Sequence, residues 1–141
     1  MSESQSSTRV KKILRNAGLR PTRQRTELGN LLFGSGDRHV TAEMLHEEAI
    51  AQNIHVSLAT VYNTLHHFMD AGLLRELPVN GAKTFFDTNL TSHHHFYNEK
   101  DCKLTDIPSN EMEISGLPAA PPGKRISRVD IVVRIENDED Q

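Results

Sequence analysis

Residues 92 to 97 read SHHHFY, three consecutive imidazoles between a serine and two aromatics. Imidazole nitrogen binds zinc, iron(II) and manganese, and it also ligates haem iron. In an extended stretch neighbouring side chains point to opposite faces, so His93 and His95 can serve one site while His94 serves another. His39 and Asp87 are available to converge with them, and adding a carboxylate makes a borderline donor set suited to a divalent cation. The competing reading is a run of exposed imidazoles. Catalysis finds little support. The chain has no nucleophile elbow, no phosphate-cradling glycine loop and no HExxH spacing, so it does not read as an enzyme.

The elements that must position these groups begin with a basic segment. From Met1 to Phe33 there are seven Lys or Arg against Glu3 and Glu27, about +5 in a chain whose net charge is −3. A basic end on an acidic body suits a surface that meets a polyanion on one side. Val10, Ile13, Leu14 and Ala17 put a helix over Thr8 to Ala17, stopped by Gly18. Pro21 and Thr22 start a second helix with Leu28, Leu31 and Leu32 on its apolar face, ended by Gly34 and Gly36. Thr41 caps a third, in which Glu43 complements the helix dipole. A fourth runs from Ser57 to Gly72 with Leu58, Val61, Leu65, Phe68 and Met69 on one face and Thr60, Asn63 and His67 on the other. Two strand-like segments around Asn80-Gly81 follow as a hairpin.

Three helices, a fourth with a polar face and a hairpin predict a winged helix-turn-helix, in which the last helix enters the DNA major groove. Ser57, Thr60, Tyr62 and Asn63 are the residue types that bond phosphates and base edges there. The second half differs. HHFYNE and KLTDIP read as short strands, and ISRVDIVVRI alternates with Val129, Ile131, Val133 and Ile135 on one face. The proline-rich stretch between them leaves room for one helical turn. A small sheet with one apolar face is expected to pair with a second copy. The fold class is therefore α+β: residues 1–87 form a winged-helix DNA-binding domain, 88–135 a small α/β dimerisation and sensing domain, and 136–141 an acidic, disordered tail. One cysteine, no long apolar run and a polar start point to a cytoplasmic protein with no membrane partner.

GLRPTRQR, HVTAEMLHEEA, SLATVYNTLHHFMDAGLL, GAKTFFD and the histidine cluster together resemble the ferric uptake regulator family, over roughly Val10 to Ile135. HHHF followed by TDIPSNEMEISGLP and RISRVDIVVRI is similar to its iron response regulator branch, whose members sense iron through haem. The resemblance implies a homodimer on AT-rich promoter DNA, with Arg20 entering the minor groove, Tyr62 touching the major groove, and Thr22, Arg23 and Arg25 beside them. Asn63 stands where most of the family has arginine. His39, Asp87 and His94 match ligands of the family's inter-domain site, with Phe96 in place of a fourth. His93 and His95 match a second site, where Glu113 is a rough match to its glutamate. The CxxC pairs of many relatives are missing, and so is any Cys-Pro haem motif.

The branch resemblance implies haem as cofactor, held by His93, His94 and His95, with His46 and His66 for a second haem, and a haem-synthesis enzyme among the partners. The function it implies is a repressor of haem-synthesis and iron-using genes, released from DNA by haem. Two alternatives stand beside it: a regulator responding directly to manganese, iron(II) or zinc, and a haem or metal carrier that binds no DNA.

Overall fold

The computed structural model describes residues 2–80, 83–91 and 93–138, which fall into two compact units, 1–90 and 91–141. In the first unit α1 spans Ser2–Asn16, α2 Arg23–Phe33, β1 His39–Val40, α3 Ala42–Ala51, α4 Leu58–Asp70, β2 Arg75–Asn80 and β3 Lys83–Asp87. The first helix starts before Thr8 because apolar periodicity begins only at Val10, whereas the polar residues ahead of it lack the pattern but not the capacity to be helical. Thr22, Thr41 and Ser57 each cap a helix through a side-chain oxygen that accepts from a backbone N–H three residues on. The ends are equally local. Gly18 and Gly72 adopt φ of 81° and 82°, letting Leu19 N–H reach Leu14 O and Leu73 N–H reach Phe68 O. This left-handed closure favours glycine.

Val10 and Leu14 of α1, Leu28 and Leu32 of α2, Leu45 and Ala49 of α3, Val61, Leu65 and Phe68 of α4, and Phe86 of β3 form one buried cluster. Helices α1 and α2 approach closely at Gly29, where a Cβ would stand 2.6 Å from Val10 Cγ1. The three-stranded sheet has the order β1-β3-β2, all antiparallel. Pro78 is tolerated because β2 is an edge strand, where a missing N–H breaks no interior ladder. The hairpin strands are as expected from the sequence, while Gly81 and Ala82 of the turn lie outside the described residues.

In the second unit β4 (His94–Asn98) lies between β5 (Lys103–Ile107), antiparallel, and β6 (Val132–Ile135), parallel. One 3-10 turn, Ser109–Glu111, precedes the long connection that a parallel pairing requires. The alternating run from Val129 is only partly realised. Val132 and Val133 are half-buried and Ile135, at the end of this edge strand, is 42% exposed. The ladder begins late because the His94 ring takes the Ile131 N–H. Residues 136–138 are exposed coil, with Asn137 accepting from Asn98 Nδ2 at 3.0 Å; 139–141 lie outside the described residues. Among the described residues no helix is long and apolar enough to cross a membrane.

Candidate metal centre and nucleic-acid interface

The second unit brings three of the chemical side chains together. His95 and Asp106 are direct partners across the β4–β5 ladder, so their side chains share a face. His93, two residues before His95, returns to the same face. The two imidazoles lie 4.5 Å apart between ring centres and are 7% and 1% exposed. Their Nε2 atoms stand 3.3 and 3.2 Å from the same oxygen, Asp106 Oδ1. Bonds of about 2.0–2.2 Å to one central ion place neighbouring donors roughly 3.0–3.5 Å apart, so this spacing fits a coordinated cation.

The tautomer of His93 points the same way. Its Nδ1 lies 2.7 Å from the carbonyl of Thr91, which can only accept, so Nδ1 carries the proton. In the neutral ring Nε2 then offers a lone pair towards a carboxylate oxygen. Two acceptors at that distance call for a proton or a cation between them. Two imidazoles and a carboxylate suit manganese, iron(II) or zinc.

His94 is set differently. Its Nδ1 accepts the backbone N–H of Ile131 at 3.0 Å, so the neutral ring holds its proton on Nε2 and has no lone pair left for iron or another metal. In this arrangement the His94 ring closes the β4–β6 ladder and stands outside the cluster formed by His93, His95 and Asp106. Glu113 is exposed in coil and is not among the clustered ligand atoms. Asp106 stands in that cluster. The haem expectation for His93 and His95 gains no support from their setting, since the two rings are buried side by side around one oxygen.

The first unit holds another candidate pair. His39 and Asp87 are register partners on β1 and β3, and Arg75 of β2 is Asp87's partner on the other side. The three side chains therefore form a row on one face of the sheet, Asp87 2% and Arg75 9% exposed. Arg38 fixes the strand beneath: its guanidinium donates to both carboxylate oxygens of Glu48 at 2.8 and 2.5 Å and to Leu31 O at 2.9 Å. The hydrogen bond to Glu48 raises the Arg38 pKa above its ordinary value. The haem candidates on the helices are engaged otherwise. His46 Nε2 lies 3.1 Å from Val56 O, and His66 stands edge-on to Phe86 at 5.7 Å.

The candidate nucleic-acid face is built on caps and exposed cations. Arg20 and Arg23 are exposed, with Arg23 bound to Glu27 at 3.2 Å. Arg25 donates to Arg20 O at 3.0 Å and lies 3.3 Å from His67 Nδ1, which holds the segment before α2 against α4. Thr22 and Ser57 are occupied as caps, the Ser57 hydroxyl also donating to Thr60 Oγ1 at 3.0 Å. Asn63 is exposed on α4. Tyr62, 36% exposed, donates its hydroxyl to Glu43 Oε2 at 2.9 Å. That bond raises the Tyr62 pKa. Sequence reasoning gave Glu43 only a helix-dipole role and passed over Asp106. Pairing HHFYN with KLTDI as a hairpin would have put Asp106 opposite His95.

Comparison with known proteins agrees with this layout. Residues 16–119 match the model of the ferric uptake regulator family. The peroxide-responsive repressor PerR of Staphylococcus epidermidis is 36% identical over 94 residues, covering 67% of this chain. The matched stretch spans 62% of that relative's length. Among solved structures, the Vibrio cholerae ferric uptake regulator superposes with a TM-score of 0.72 at 21% identity, over 90% of this chain and 98% of that one. The Pseudomonas aeruginosa ferric uptake regulator with manganese gives 0.67 at 24% identity, over 91% and 97%. At these identities the two structures establish the fold.

Proposed function

The chain belongs to the ferric uptake regulator family, and on that premise we propose that it is a cytoplasmic, dimeric transcriptional repressor governed by a divalent cation held by His93, His95 and Asp106. Members of the family are transcription regulators rather than enzymes. The observation that carries the reading is the one Asp106 oxygen shared by two imidazole nitrogens at 3.3 and 3.2 Å. The bound cation supplies positive charge that offsets a carboxylate among two buried rings. His93 is held in the ligating tautomer by Thr91 O, and Asp106 ties β5 to β4. The match to a solved relative holding manganese favours manganese or iron(II) over haem.

In the first unit α4 enters the major groove of AT-rich promoter DNA. Tyr62 and Asn63 meet base edges, while Arg20 and the cations of α1 and α2 meet the backbone and the minor groove. The exposed edge of β6 receives the second copy. The relative's peroxide response gives the likeness its repressor sense, since a repressor is what that protein's name describes.

The test is manganese binding by paramagnetic resonance, with gel shifts on promoter DNA, for the wild type, His95→Ala and Asp106→Asn. Both variants are expected to lose metal affinity by more than the roughly 10–100-fold typical of removing a supporting group, and to lose metal-dependent DNA binding with it. Unchanged metal affinity would sink the assignment. A saturating Soret band that weakens when His93, His94 and His95 are all alanine, and that releases DNA, would instead restore the haem-sensing branch and its haem-synthesis partner.

A further inference from the structure

Glu43 lies in the first turn of α3, where a carboxylate is favoured by the helix dipole. That explains an acid there but not its contact. The side chain is exposed on the same surface as Tyr62, and its Oε2 accepts the phenol proton at 2.9 Å. Among the described residues no cation pairs with it. A bare carboxylate on a surface that must approach phosphates opposes binding unless it does something there. What it does in the free protein is restrain a ring. A tyrosine 36% exposed on a helix face would otherwise sample several rotamers, and here its hydroxyl is tied to the neighbouring helix.

We infer that Glu43 is a specificity-determining positioning residue: it fixes the Tyr62 ring for contact with one base pair and bars alternative placements of that ring. The inference rests on the reading that α4 enters the major groove. Glu43 acts through Tyr62, so its loss relaxes discrimination at the base pair under Tyr62 and leaves the backbone contacts as they are. A positioned contact reads sequence, whereas a repulsive charge alone lowers affinity for every sequence alike.

Selection from a random duplex library with the manganese-loaded wild type defines the bound sequence. Each base pair is then substituted in turn and tested against Glu43→Gln, Glu43→Ala, Tyr62→Phe and the double variant Glu43→Ala/Tyr62→Phe. Glu43→Ala and Tyr62→Phe should each cut discrimination at the same base pair by roughly 3–10-fold, the factor carried by one net hydrogen bond. The double variant should be no worse than either alone, and Glu43→Gln, which keeps an acceptor, should retain most of the discrimination.

Three results overturn the inference. If Glu43→Ala and Glu43→Gln tighten binding equally on all sequences, the carboxylate is a repulsive charge only. If Tyr62→Phe relaxes the readout and Glu43→Ala does not, the ring needs no restraint. If the wild type selects no sequence at all, the DNA-binding reading falls and this one with it; in the first two cases that reading survives.

Discussion

Between Val10 and Asp87 the buried side chains are mostly hydrocarbon, with Thr26, Thr41, Thr64, Arg75 and Asp87 as the polar exceptions. Between His93 and Ile107 the balance shifts. His93, His95 and Asn98 are buried beside Tyr97, Leu104 and Ile107, so polar groups make up about half of that interior. Burying hydrocarbon stabilises by roughly 25 cal/mol per Å², whereas burying polar groups costs free energy unless partners satisfy them. Hydrocarbon burial therefore stabilises the first interior, whereas the second is stable only as far as its buried polar groups find partners.

The largest expected effect tests the first half of this contrast. Phe68 is 0% exposed and packs against Phe33 at 5.8 Å between ring centres. Phe68→Ala should cost about 3–5 kcal/mol in urea unfolding followed by helical circular dichroism. A loss below 1 kcal/mol would mean the α-helical core is looser than its burial implies, and the two interiors would no longer differ in kind.

The second effect tests the other half. A ligand at 100 times its Kd stabilises the state that binds it by about 2.7 kcal/mol. Hydrogen exchange should therefore show manganese raising the protection of β4 and β5 amides, with His95→Ala abolishing the gain. Protection that rises to the same extent across α1 to α4 would erase the distinction between a self-sufficient unit and a cation-dependent one.

The same contrast explains what could be read from the sequence. Helices α2, α3 and α4 were legible because apolar spacing, capping Thr22, Thr41 and Ser57, and the stop at Gly72 all agree, and each of these signals is local. The second unit is specified by non-local pairing. Asp106 is a ligand candidate only once KLTDI is laid antiparallel against HHFYN, and the His94 Nδ1 is engaged only once its ring meets Ile131. Neither fact lies in a window of ten residues. The alternation from Val129 to Ile135 is realised as strand only over Val132–Ile135, and it does not say which neighbour a strand takes.

The smallest effect concerns the surface of the first unit, where a functional pair should be tunable without touching the core. Glu43 raises the Tyr62 pKa because its carboxylate accepts the phenolic hydrogen bond, which only the neutral phenol can donate. A raised folded-state pKa means that this contribution is fully present below the ordinary tyrosine value of about 10 and is lost as pH rises through the folded value. Tyrosinate absorbance followed through an alkaline titration should thus place Tyr62 above an ordinary tyrosine in the wild type. Glu43→Ala should move it back down, while the urea midpoint at neutral pH stays nearly unchanged, because the pair is exposed and screened. An unmoved titration would show that the hydrogen bond does not persist in solution. A large fall in the urea midpoint would place the pair among the determinants of stability, and the first unit would then carry its chemistry in its framework as the second does.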